Sequence, residues 1–187
     1  MRAFFASAAL CLLASAPAFA ATDLSLPPFS AIEAHGGAHV VFHHGASQRV
    51  TVVKGDMKVA RIIVVGGKLE IDPCPTTCWI GSHELDVDVV SPGVQALAAH
   101  GGARIDAEGT FPKQPQMSVE AHGGGSIDIR TIPADAVSVE AHGGGNVRVR
   151  ALAALSAEAH GGGDIVYAGN PPKVAISTHG GGSIRKE

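Results

Sequence analysis

Apolar and polar residues alternate through most of the second half of the chain. The apolar members of two such stretches are Val119, Ala121, Ile127 and Ile129, and then Val139, Ala141, Val147 and Val149. An apolar residue at every second position is typical of half-buried β-strands. This pattern predicts an all-β fold.

The same stretches carry a repeated motif in which His-Gly-Gly follows a small residue. It occurs six times, at His35, His100, His122, His142, His160 and His179. The last five copies follow one another at a nearly constant interval. A period of about 20 residues is typical of a solenoid in which each coil pairs with the next. We therefore predict a right-handed parallel β-helix-like solenoid with coils of about 20 residues.

Aligning the repeats separates inward from outward positions. Two apolar columns should face the core: Leu97, Val119, Val139, Ala157 and Ile176, and then Ile105, Ile127, Val147, Ile165 and Ile184. Glu120, Glu140 and Glu158 should form an outward column beside the histidines, and Asp128 should lie over Arg148. Adjacent strands are about 4.8 Å apart, so equivalent side chains should lie directly over one another.

The glycines after each histidine predict a repeated bend. Glycine accepts positive φ and close backbone approach, so a repeated Gly-Gly indicates a turn or bulge at one corner of every coil. The glycines assigned this structural role are Gly123, Gly124, Gly143, Gly144, Gly161 and Gly162.

The first half is less regular. Its alternating segments predict a partly antiparallel β region that packs against the first coils or continues them, with a hairpin turn at Val65 to Lys68. We predict one domain over residues 21–187, with an irregular β part at about 28–95 and the His-Gly-Gly repeat part at about 96–187.

The segment from Met1 to Ala20 has the features of a secretory signal peptide. One arginine, an apolar run and the sequence Ala-Phe-Ala predict cleavage after Ala20. No second apolar run follows, so we expect no membrane span and a periplasmic or extracellular location. The formal net charge is −3 and there is no basic block, which argues against a nucleic-acid partner.

Two cysteines follow the predicted signal peptide, Cys74 and Cys78. An even count in an oxidising compartment favours a local disulfide closing a small proline-rich loop. A metal or redox pair is the alternative, but there is no second cysteine pair and no helix start beside Cys74.

The order of segments resembles a known family. Phe29-Ser30-x-Ile32-x-Ala34 is followed by "HHG", "VTVVKGD", "GGKLEI" and "ELDVDVVSPGV", and then by the repeated small-His-Gly-Gly units. Together these resemble the head GIN domain family of adhesin-like proteins, from about Pro28 to Ile184. The resemblance implies a β-solenoid with a glycine-rich corner in each repeat and supplies no catalytic residues. Histidine replaces the first small polar residue of the family's Ser-Gly-Ser-Gly-like corner in all six copies.

The histidines have two main interpretations. They can be shape residues that bind a neighbouring carbonyl, stack on one another and were copied with the repeat. They can also bind Zn²⁺, Cu²⁺ or Ni²⁺ together with glutamates two residues earlier, since imidazole and carboxylate suit these ions. The candidate metal ligands are His35, His100, His122, His142, His160, His179, Glu120, Glu140 and Glu158. Protonation that loosens the column in acid, and direct ligand contact, are further possibilities.

No enzyme signature stands out. The titratable residues repeat along the stack instead of clustering as in an active site, and no nucleophile elbow or phosphate loop is present. We therefore predict a secreted, non-enzymatic binding module whose partner is a protein, a glycan or a metal ion. A periplasmic transition-metal-binding protein and a purely structural envelope protein are the alternatives.

Overall fold

A computed structural model describes residues 21–76 and 84–187 of the chain. The predicted signal peptide and Cys78, the second cysteine of the predicted disulfide, lie outside these residues. The described chain is all-β without a helix, and its strands form one strongly curled mixed sheet. The all-β prediction is confirmed.

Fifteen strands are described. The first half contributes β1 Thr22–Leu24, β2 Ala31–His35, β3 Ala38–His44, β4 Arg49–Lys54, β5 Arg61–Val65, β6 Lys68–Asp72 and β7 Leu85–Ser91. The second half contributes β8 Ala96–Gly101, β9 Arg104–Glu108, β10 Gln114–Gly123, β11 Ser126–Gly143, β12 Asn146–Gly161, β13 Asp164–Ala168, β14 Lys173–Gly180 and β15 Ser183–Lys186.

Each His-Gly-Gly motif joins two strands that belong to different parallel ladders. The strands that end in the motif pair in the order β2, β8, β10, β11, β12 and β14. The strands that follow it pair in the order β3, β9, β11, β12, β13 and β15. β11 and β12 belong to both ladders because each is long enough to follow one motif and end in the next. The β11–β12 register shifts near Pro133, where a donor is missing from the ladder.

The strand register aligns the residues of the two apolar columns as the sequence predicted. Val119 pairs with Leu97 and Val139, and Ile127 pairs with Ile105 and Val147. Both columns are buried until the last repeat, where Ile176 is 47% exposed. Ile176 lies on β14, which pairs only with β12 within the described chain, so no further strand covers this residue.

The first half is mixed, and the prediction of a partly antiparallel β region there is confirmed. The hairpin at Val65 to Lys68 is confirmed, and β4 pairs antiparallel with β1 and β7. In contrast, β2 pairs parallel with β6 and β8, and β3 pairs parallel with β7 and β9. The reason is that β2 and β3 flank their own motif at His35 and so join the ladders as a further repeat.

One hydrophobic cluster runs through both halves. It extends along the chain from Phe29 to Ile165 and consists mainly of Val, Ile, Leu and Ala. Such side chains pack well between closely spaced strands, and burying a Val, Leu or Ile contributes roughly 1.5–3 kcal/mol each. Nothing in the described segments forms a helix long and apolar enough to cross a membrane.

Candidate functional site

The His-Gly-Gly corner is a tight turn that repeats with little variation. Its first glycine has positive φ in all six copies, for example 67° at both Gly123 and Gly143. In the copies at His100, His122 and His142 the histidine carbonyl accepts a hydrogen bond from the amide three residues later, as in Gly125 N to His122 O at 3.1 Å. Positive φ at the second turn residue followed by this bond is the pattern of a type II′ turn.

Successive corners are also joined to one another. The amide of Gly144 donates to the carbonyl of Gly123 at 2.7 Å, and the amide of Gly162 donates to Gly143 at 2.7 Å. The turns are therefore held one above the next, and the residue that precedes each turn is held in the same way. This is why every histidine of the motif reaches the same position on its strand.

The six histidines form a continuous ring stack, which we call the imidazole stack. Its members in spatial order are His35, His100, His122, His142, His160 and His179. Neighbouring ring centroids are 4.6–5.0 Å apart, and the interplanar angles are between 2° and 13°. The first five side chains are about one-third exposed, so the stack lies on the outer face of the sheet.

A row of glutamates runs beside the imidazole stack. Glu120, Glu140 and Glu158 are in direct register, as the sequence predicted. Each carboxylate approaches the Nε2 atom of the histidine two residues later, at 3.9 Å for Glu120, 3.4 Å for Glu140 and 3.6 Å for Glu158. The histidines thus lie next to a row of negative charge.

Glu33 is the most strongly held member of this row. Its Oε1 atom is 3.2 Å from His35 Nε2 and 3.3 Å from His100 Nε2, while Oε2 binds Lys68 from β6. The second contact is possible because Ala98 occupies the glutamate position in the next repeat and leaves space. This double contact was not predicted from the sequence; Ala98 in "ALAAHGG", at the position where other repeats have glutamate, is the signal that indicates it.

The environment shifts the acid–base properties of Glu33 and His100. Burial raises the pKa of Glu33, but the hydrogen bond from Lys68 and the neighbouring positive groups outweigh it and hold the pKa below its ordinary value. Burial lowers the pKa of His100, and the adjacent His35 and His122 lower it further against the opposing effect of Glu33. In the folded protein this glutamate favours the ionised form and this histidine the neutral form.

The comparisons with known proteins identify the family. The sequence profile described as "Putative auto-transporter adhesin, head GIN domain" matches residues 28–116 and 113–171. The chain belongs to the head GIN domain family. No curated protein matches this head GIN sequence.

Several solved bacterial structures are similar to this head GIN chain. A putative adhesin from Bacteroides fragilis has a TM-score of 0.57 and 14% identity, over 89% of this chain and 96% of that one. A putative adhesin from Parabacteroides distasonis has a TM-score of 0.49 and 15% identity, over 90% and 96% of the two chains. A putative lipid binding protein from the same organism has a TM-score of 0.43 and 16% identity, over 89% and 96%. At these identities the first structure shows a shared fold and nothing about ligands.

The histidines and glutamates of the head GIN chain that were predicted to bind a metal are distributed along the stack. Among the residues that the structure describes, no three His, Cys, Asp or Glu side chains are grouped to hold a metal ion. His39, His43 and His44 do not join the stack, because they lie on β3 beyond the corner; His39 instead contacts Asp106 at 3.0 Å. Metal binding by the predicted ligands stays a prediction.

Proposed function

We propose that this head GIN protein is an exported, non-enzymatic binding module of the adhesin type whose contact surface is the face carrying the imidazole stack and the glutamate row. The observation that carries the proposal is the continuous, in-register stack of six rings. Flat rings held by neighbouring corners lose little conformational entropy on binding, and their repetition suits a repetitive partner such as a fibrous protein or a glycan.

The architecture proposed for this surface is a right-handed parallel β-solenoid with coils of about 20 residues. It is supported by the repeated unit of strand, His-Gly-Gly corner and strand, and by the parallel register between equivalent residues of successive repeats. In a solenoid each repeat contacts only its neighbours, so an outward residue type is displayed at regular intervals.

Export and the lack of catalysis form part of the same proposal. The signal-peptide pattern in residues 1–20 and membership of an adhesin-type family support a location in the envelope or outside the cell. Titratable side chains on this face form long rows, whereas catalysis normally needs a converging group in a pocket.

Direct binding assays on the processed chain would test the contact face. Purified protein starting at Ala21 would be titrated onto immobilised mucin, collagen and fibronectin. We expect saturable binding to at least one of them, weakened at least tenfold by the triple variant His122→Ala, His142→Ala, His160→Ala. The matched control is His39→Ala, His43→Ala, His44→Ala, which removes three histidines outside the stack.

Two outcomes would overturn this proposal. Absence of saturable binding to all three surfaces would favour a purely structural envelope role. Equal loss in the two triple variants would show that the stack is not the contact surface. Circular dichroism spectra and melting temperatures of both variants would confirm that they remain folded.

A second candidate function is transition-metal binding. The described residues contain no preformed three-ligand group, but the contacts of Glu33 with His35 and His100 bring three suitable ligands close together. Tetrahedral Zn²⁺ with ligands at roughly 2.0–2.1 Å separates them by about 3.3 Å. The Oε1 atom of Glu33 lies 3.2 and 3.3 Å from the Nε2 atoms of His35 and His100. Zn²⁺, Cu²⁺ or Ni²⁺ would replace the hydrogen bonds that this oxygen accepts, and would require the two rings to tilt towards each other.

Calorimetric titration with Zn²⁺ and Cu²⁺ separates this candidate from the first. We expect a binding heat for untagged wild-type protein that Glu33→Gln largely removes. If the binding heat of the wild-type protein is unaffected by Glu33→Gln, the metal is not held at Glu33, whatever the heat of the His122/His142/His160 triple alanine variant. If wild-type protein gives no heat, the protein does not bind these metals.

A further inference from the structure

Three arginines form an exposed patch on the ladder that follows the corners. Arg148 and Arg150 lie on β12 and Arg185 lies on β15, and we call them the arginine patch. Arg148 pairs with Val166, which in turn pairs with Arg185, so two strand spacings, or about 10 Å, separate these arginines. Arg150 is two residues from Arg148 and shares its face of the strand, about 7 Å away.

These arginines differ from neighbouring arginines because few acidic side chains of the described chain lie close enough to neutralise their charge. Arg130 binds Asp128 at 2.8 Å and Glu187 at 2.6 Å, and Arg104 is paired with Asp106. Arg148 lies 3.8 Å from Asp128, whose carboxylate is already bound to Arg130.

The other two arginines of the patch are still less compensated. Among the described residues, Arg185 donates a hydrogen bond to the hydroxyl of Ser183, at 3.4 Å, and forms no ion pair. Arg150 has no ion pair within the described part of the chain. The patch is therefore positively charged on a protein with a net charge of −3.

A small polar cavity lies between two members of the patch. It has a volume of about 240 Å³ and is lined by Arg148, Arg185, Asn146 and Asp164, among others. This is below the roughly 300–1,000 Å³ typical of drug-sized ligands, and it suits a single small polar unit. Arginine offers a planar fork that binds a carboxylate through two hydrogen bonds, while Asp164 and Asn146 offer oxygens that accept from hydroxyl groups.

We propose that the arginine patch binds an acidic carbohydrate, with the carboxylate of one sugar unit held between Arg148 and Arg185 and its hydroxyl groups on Asp164 and Asn146. Arg150 attracts a neighbouring acidic unit of the same chain. The carboxylates of Asp128 and Asp164 disfavour a densely charged polyanion such as nucleic acid, but they accept hydrogen bonds from a hydroxyl-rich ligand with one charge per unit. This site shares no residue with the imidazole stack, so its failure would leave the proposal for that face untouched.

Titration calorimetry with polygalacturonate is the test, with unmodified galactan as the neutral polymer and sodium sulfate as the simple anion. We expect saturable binding of polygalacturonate that weakens as salt concentration rises, and little binding of galactan. The double variant Arg148→Ala, Arg185→Ala should weaken binding at least tenfold, because two charge-assisted hydrogen-bonding groups are lost. The control is Arg49→Ala, Arg61→Ala, which removes the same charge from exposed arginines on β4 and β5.

Each other outcome contradicts the proposal. Equal loss in the two double variants would mean that only net charge matters. Equal binding of galactan would remove the role of the carboxylate, and sulfate that competes as well as galacturonic acid would remove the role of the sugar hydroxyls. Absence of binding by wild-type protein would eliminate the site.

Discussion

At the residue scale, the third glycine of a corner is constrained by the backbone of the preceding repeat. A Cβ atom on Gly145 would lie 2.6 Å from the carbonyl oxygen of Ala121, closer than real Cβ atoms approach. We expect Gly145→Ala to lower the free energy of unfolding by about 1–3 kcal/mol, because the repeats must move apart. Thermal or urea denaturation measures this change.

Gly181→Ala is the matched control, since a Cβ atom at Gly181 would meet no atom within 4 Å. We expect this substitution to leave the melting temperature nearly unchanged. Equal destabilisation by the two alanines would show that glycine flexibility, and not close approach, governs the corners.

His100 should make the fold less stable in mild acid. Its pKa is lowered by burial and by His35 and His122, while Glu33 and Glu120 oppose the shift. Between the lowered pKa and the ordinary value of 6.5, the unfolded chain binds more protons than the folded chain. Stability therefore falls as pH drops below about 6.5, and no further His100 contribution is lost below the folded pKa. The pKa of Glu33, lowered from 4.5, adds a further loss in stronger acid.

Melting temperatures measured from neutral pH to about pH 5 would test this effect. We expect His100→Gln to flatten the decline, because the titrating group is removed while an amide remains. His43→Gln, outside the imidazole stack, serves as the control. A wild-type melting temperature that is constant across this range would contradict the expectation.

At the element scale, each strand depends on the strands above and below it to cover its apolar face. Ile127 lies between Ile105 and Val147 and is 1% exposed, whereas Ile176 on β14 is 47% exposed. We expect Ile127→Ala to cost about 2–5 kcal/mol, because it leaves a cavity between packed strands. The same deletion at Ile176 should cost well under half as much, since that side chain already contacts solvent.

Denaturant midpoints of the two alanine variants give this comparison directly, as both remove the same atoms. Similar losses at the two positions would mean that β14 is packed as tightly as the inner strands. That result would contradict the exposed position of Ile176.

At the scale of the whole molecule, the repeat region could be predicted closely because one periodic signal determines it. The spacing of the histidines fixed which residues pair, and Leu97, Val119 and Val139 lie in register as expected. Hydrophobic alternation and repeat length are visible in short stretches of sequence, so they can be identified without knowing the rest of the fold.

The first half was predicted less well, because its pairing depends on partners far away in sequence. The parallel pairing of β3 with β9 requires knowing that the motif at His35 begins a repeat, even though several strands separate it from His100 along the chain. The double contact of Glu33 and the small cavity beside Arg148 and Arg185 also arise only when separate strands meet. Such features depend on tertiary structure.

The even spacing of the imidazole stack has a consequence for partners of different length. Neighbouring rings are 4.6–5.0 Å apart, close to the strand spacing of about 4.8 Å. A partner unit that contacts one ring therefore meets an equivalent ring one strand further along. Longer repetitive partners should bind with higher avidity than short ones, without any new type of contact.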